Sequence, residues 1–213
     1  MRDHMTMPWP MSGSELLEMG FFWTLAVLFL VVLIRLLCRA PRDSGVSPPR
    51  GEQTGMFRGW FYRWRAWPET WLLLLALPLE LLWEIAQFPL YDVWHQNDWG
   101  YILYGLAHCT LGDLLILLAL YELVALLVRN RAWFRNARVW PCGLLFTALG
   151  LGYTVYSELV NVRIKGTWGY TELMPIVPGV EIGGTPFMQW LLIPPILLWL
   201  MRLTWLARQV RAS

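Results

Sequence analysis

The stretch LELLWEIAQFPLY, residues 79–91, is apolar enough for a bilayer and yet carries Glu80, Glu84 and Gln87. Those three fall at i, i+4 and i+7, which places them on one stripe of a helix. A carboxylate inside a membrane costs about 2.5–3.5 kcal/mol on insertion scales unless it is paired, protonated or turned to a cavity. Further along, His108 and Asp113 interrupt a second apolar run, and Thr154, Ser157, Glu158 and Asn161 share a helix face in a third. Carboxyls held out of water, beside a His that exchanges protons near neutral pH, suit general acid–base chemistry. The substrate of such a site would be a lipid or isoprenoid.

Other chemistries fit these residue types less well. One intramembrane His supplies at most one histidine ligand to a haem. With only His4, His95 and His108 in the chain, a histidine-rich di-iron site is excluded. A carboxylate-rich metal site of Glu84, His108, Asp113 and Glu158 stays open as an alternative, but no ExxH or HxxxH spacing supports it, and neither a metal nor another cofactor is the expectation. Ser157 has no GxSxG context for a nucleophile. Cys38, Cys109 and Cys142 show no CxxC or paired spacing and read as free buried thiols.

These residues need helices in lipid to hold them. The chain is 57% hydrophobic and 15% charged, where a soluble domain carries about 25% charged residues. An all-α polytopic membrane protein with about five transmembrane helices is expected. The fifteen Trp residues suit the membrane–water interface. The arginines lie between apolar runs and form no single basic face, so no nucleic-acid partner is expected. Membrane lipids are the expected surroundings, and nothing in the sequence names a protein partner.

Residues 1–37 comprise a mixed tail, without the basic start and small-residue cleavage site of a signal peptide, and an anchor span at 20–37. Residues 38–70 read as a cytoplasmic linker whose FRGWFYRWRAWPE segment suits anionic headgroups. Residues 71–207 form a four-helix core with spans near 71–90, 101–128, 139–162 and 187–206. Pro78 falls inside the first of these, Pro194 and Pro195 inside the last, and 208–213 is a tail. The Pro- and Gly-rich segment 163–186 is a lid loop.

Counting Arg35 and Arg202 at the span ends, seven, four and three Arg go with the segments after spans one, three and five, leaving only Arg2, Arg163 and Lys165 on the other side. The positive-inside rule then puts the N-terminus outside and the C-terminus inside, in a bacterial inner membrane. Glu84, Gln87, His108, Asp113, Ser157, Glu158 and Asn161 all come to the outer half, beneath the lid. Chance would scatter them through both halves. His108 and Asp113, five residues apart, point about 140° away from each other, so only one of them faces the cluster. Glu122 falls in the inner half and pairs with Arg129 or a headgroup.

The segments LLWEIAQFPLY, AHCTLGDLL, YSELVN and WGYTELMPIVPG together resemble a type of small bacterial multi-pass membrane protein with no known activity. The resemblance spans residues 71–189 and implies no residue roles. In plan alone, the chain is similar to sterol isomerases of the emopamil-binding type, with five spans and intramembrane Glu, His and Trp. Membrane-bound terpene cyclases have a Trp-Glu pair like Trp83–Glu84. Both imply only that such a site can run proton-initiated chemistry on an isoprenoid.

The leading expectation is an acid–base enzyme with Glu84 as proton donor and His108 and Asp113 as relay partners. Glu158 serves as a further catalytic group, with Glu80, Gln87, Ser157, Asn161, Trp168 and Tyr170 lining the pocket and residues 168–178 closing it. Two other readings stay open. The polar groups can simply bond helices together in a subunit or assembly factor, at about 1 kcal/mol per contact. They can also form a proton path in a transporter, although no inverted repeat is visible.

Overall fold

The computed structural model describes residues 67–136 and 139–212. Over these residues the protein is helical, without strands, and four of its five α-helices are long and apolar enough to cross a membrane. The expected anchor at 20–37 and most of the linker lie outside the described residues.

Helix α1 is Pro68–Gln87, α2 Asp92–Gln96, α3 Trp99–Leu127, α4 Val139–Glu158 and α5 Gly184–Ala212. Local chemistry sets their ends. Pro68 occupies the first turn of α1, where its missing N–H has no partner to lose, and Trp67 before it is extended. The helix therefore begins inside the segment read from sequence as linker. Pro89 then tightens the chain into a 3-10 turn, Phe88–Leu90. Asp98 caps α3 by accepting from the Tyr101 N–H at 2.9 Å. Beyond Glu158, α4 widens into a π-helical turn, Leu159–Lys165, that ends on the left-handed Gly166 at φ 63°.

The four long helices pack in a ring, α1 against α3 and α5, and α4 against α3 and α5, with the α3–α4 contact the slightest. Their outward faces present large apolar side chains such as Leu82, Leu127, Leu144 and Trp199. An apolar surface of this extent on a soluble monomer would be a liability, whereas against lipid it is ordinary. The ring has two ends. The lid end carries the 159–183 connection, and the arginine end carries the 128–138 connection.

The inward stripe of α1 states the plan of the interior. It reads Glu69, Leu72, Ala76, Glu80, Glu84, Gln87, polar at both ends and apolar between. Leu72 and Ala76 meet a layer that includes Leu117, Phe146 and Leu197, all wholly buried. Glu69 and Glu80 are eleven residues apart, or about 16 Å along the helix.

Close approach of α4 and α5 depends on Gly150. A Cβ there would meet Trp190 Cε3 at 2.1 Å and Cζ3 at 2.4 Å. Trp190 is itself buried and cannot step aside into open space. Gly150→Ala is accordingly expected to destabilise by about 1–3 kcal/mol, the usual range for overpacking, which thermal unfolding in detergent would read.

Candidate functional site

The buried stripe of α1 finds its partners on α5 and α3. Gln189, near the start of α5, reaches across the ring. Its Nε2 donates to Glu80 Oε2 at 2.8 Å, to Asp113 Oδ2 at 2.9 Å and, more weakly, to Glu84 Oε1 at 3.3 Å. Gln87 Nε2 donates to Glu84 Oε1 at 2.6 Å and to Gln189 Oε1 at 3.0 Å. Trp83 Nε1 completes the edge by donating to Gln87 Oε1 at 3.1 Å. Glu80, Glu84, Gln87 and Gln189 are buried, while Asp113, the middle residue of α3, is half-buried.

Donors are short in this network. Two amide groups bring four N–H bonds to five contacts. The Glu84 and Asp113 carboxyls also come within hydrogen-bonding contact of each other, and two carboxylate oxygens meet comfortably only across a proton. Among the described residues, no Lys or Arg is a member of the network. The described arginines of the 128–138 connection lie at the far end, and Arg163 pairs with Glu181 at 2.5 Å on the surface.

A second polar station lies under the lid. Glu158, buried at the end of α4, accepts a short hydrogen bond from the Tyr170 hydroxyl. The Tyr91 hydroxyl and the Trp168 indole N–H lie close to the same carboxyl. The indole nitrogen nevertheless makes no hydrogen bond of proper geometry. Burial, followed by the hydrogen bond to Glu158, pushes the Tyr170 phenol well above its ordinary range. Burial, followed by the Glu158 and Glu84 charges, does the same to Tyr91. Both phenols therefore stay O–H donors across physiological pH. Glu158 and Glu84 are near enough to feel each other's charge, so the two stations are neighbours.

The lid is strapped rather than loose. Thr171 N and Oγ1 both donate to Leu90 O, at 3.0 and 3.1 Å. Asp92 N donates to Gly169 O at 3.1 Å, and Gly169 N returns a bond to Asp92 Oδ1 at 2.8 Å. A Cβ on residue 169 would meet Asp92 Oδ2 at 2.6 Å, so a larger residue there would have to push aside the carboxylate that bonds Gly169 N. Edge-to-face rings join the strap, Tyr91 with Trp168 at 6.3 Å and Phe88 with Trp94 at 5.9 Å. Tyr170→Phe is expected to lower the melting temperature, because it removes a charge-assisted bond of about 1.5–3 kcal/mol from a buried carboxyl.

The structure thus brings Glu80, Glu84, Gln87 and Asp113 into one network and sets Glu158, Tyr170 and Trp168 beside it. Ser157 and Asn161 serve the end of α4. Asn161 Nδ2 donates to Ser157 O at 2.9 Å and Ser157 Oγ at 3.3 Å, and Thr167 N donates to Asn161 O at 2.8 Å. His108 is exposed on the outside of α3, its ring stacked on Tyr104 at 5.6 Å. That is the divergence from Asp113 which five-residue spacing imposes. Gln189, the hub, was not anticipated. Its one signal in the sequence is an amide alone in the apolar start of the last span.

At the arginine end, Glu122 meets Arg131 at 3.9 Å rather than the expected Arg129. The chain reverses at Arg129, whose φ is 53°, and Arg131 is carried back over the bundle. There Arg131 binds Glu69 through Nε at 2.9 Å and Nη2 at 2.8 Å. Among the described residues no group of three or more His, Cys, Asp or Glu is arranged to hold a metal ion. Comparison of the chain with protein-family models, with curated proteins and with solved structures found no match.

Proposed function

We propose that the chain is an integral protein of the bacterial inner membrane whose amide–carboxyl network is a one-sided acid–base site for a lipid or isoprenoid. The observation that carries this reading is the convergence of Glu80, Glu84 and Asp113 on Gln189 without a Lys or Arg among the described residues of the network. Three carboxyls in lipid are an expensive way to join helices, since amides or hydroxyls would do so without charge. Glu84 is the proton donor in this reading, because it touches Gln87, Gln189 and Asp113 and also neighbours Glu158. Asp113, half-buried at the slightest seam of the ring, is where a substrate from the bilayer meets the network. The lid end faces the periplasm, in keeping with the arginine distribution.

A structural role has its own support, because every member of the network has a polar partner within the bundle. Proton transport is less well supported. The wholly buried layer of Leu72, Ala76, Leu117, Phe146 and Leu197 separates the network from Glu69 and Glu122.

Incubation of the wild-type protein and Glu84→Gln in nanodiscs with a bacterial lipid extract tests the acid–base reading. Mass spectrometry is expected to show one lipid species converted by wild type and retained unconverted by Glu84→Gln. Identical lipid profiles for wild type, variant and empty nanodiscs would sink the enzyme and leave the structural role.

A further inference from the structure

The network and its surroundings also specify what charge a ligand carries, an inference that rests on reading the cluster as a binding site. Four carboxyls, Glu80, Glu84, Asp113 and Glu158, gather at the lid end, and their described hydrogen-bond partners are amides and a phenol. Four amide N–H bonds are shared over five contacts in the network, so an incoming N–H group would add a donor where donors are short. A separate observation points the same way. The Thr110 hydroxyl lies one helical turn before Asp113 on the same face of α3, is 3% exposed, and has no hydrogen-bond partner. A helical Thr ordinarily returns its hydroxyl to a backbone carbonyl one turn back, so an orphan here is an unmet polar group.

Aromatic rings gather at the lid end. Tyr91, Trp168 and Tyr170 cluster beside Glu158, and Phe88, Trp94 and Trp99 extend the wall along the lid end. Ring faces attract cations and do nothing comparable for phosphates. A phosphate or carboxylate head would instead meet four acids and, among the described residues, no Lys or Arg within the network, with Arg163 already engaged by Glu181.

We infer that the site takes an amphiphile with a primary ammonium head, its N–H bonds shared between the Asp113–Glu84 carboxyls and the Thr110 hydroxyl. The apolar tail lies along the α3–α4 seam, where Tyr153 is exposed within electrostatic reach of Asp113.

Three probes with one tail separate the possibilities: oleylamine, oleyl alcohol and oleyl phosphate, titrated into the full chain in neutral-lipid nanodiscs. Tryptophan fluorescence and melting temperature read binding. Oleylamine is expected to bind at least about tenfold more tightly than oleyl phosphate, the effect of a single charge-assisted bond. Asp113→Asn and Thr110→Val are each expected to weaken oleylamine about tenfold on the same argument. Thr110→Val also removes an unmet buried hydroxyl, so its ligand-free melting temperature is expected to hold or rise, which separates lost binding from lost folding. Equal binding of all three probes, preference for the phosphate, or amine binding unchanged in both variants would overturn the inference. None of those outcomes bears on whether the network converts a lipid, which the turnover comparison decides independently.

Discussion

Arg131→Met is expected to destabilise the protein by about 3–5 kcal/mol, the cost of leaving buried carboxylates without their cation. Arg131 is the clasp of the arginine end. Its guanidinium binds Glu69 twice, reaches Glu122 at 3.9 Å and lies over the Trp67 ring at 5.6 Å. Its backbone carbonyl accepts from the wholly buried Tyr121 at 2.6 Å, which fixes where the side chain starts. Glu69 Oε2 and Glu122 Oε2 already lack partners, so the carboxyls have no slack with which to absorb the loss. Chemical unfolding in detergent would measure the effect. Adding Glu122→Gln to Arg131→Met is expected to recover part of it, because a neutral amide needs no counter-charge. Equal stability of Arg131→Met and wild type would show that the ion pair is a bystander.

Gln189→Leu is expected to have an effect of similar size, for a different reason. The substitution keeps bulk in the bundle and removes the donor shared by Glu80, Asp113 and Glu84. It also removes the acceptor for Gln87. Hydrogen bonds to charged groups contribute about 1.5–3 kcal/mol each, and at least two strong ones are lost. Carboxyl protonation offsets part of this, so about 3 kcal/mol is the expected net loss by thermal or chemical unfolding. Asp113→Asn in the Gln189→Leu background is expected to restore stability, since an amide on α3 supplies N–H bonds where the network lacks them. An additive double mutant would deny the coupling that the geometry describes.

Much of this architecture was legible in the chain. Apolar length placed four of the expected spans, and depth along them brought Glu84, Asp113 and Glu158 toward one end before any contact was known. Periodicity specifies faces, however, and not which faces meet. The stripe of Glu80, Glu84 and Gln87 is visible in the sequence, but its partner Gln189 is an uncharged residue 102 positions beyond Gln87. Gln87 and Asn161 stand out because each shares a helix face with a carboxylate, whereas Gln189 sits in a span with no Asp or Glu to mark it. The angle between His108 and Asp113 was equally readable, and it correctly allowed only one of them to join. The partner of Glu122 was missed because a reversal at Arg129 depends on local backbone conformation, and spacing alone places Arg129 nearer. The lid's strap to Leu90 and Asp92 was hidden because backbone atoms make most of it.

The central claim is that the carboxyls at the lid end are there for chemistry rather than to hold helices together, and the melting temperature of ligand-free Glu84→Gln tests it most directly. Glutamine matches glutamate in shape and brings two N–H bonds into a network short of donors. If Glu84 serves function, the variant melts at or above the wild-type temperature while losing lipid conversion, the exchange of stability for activity expected of a working residue. A melting temperature well below wild type would mean that the carboxylate holds the bundle together and would contradict the account.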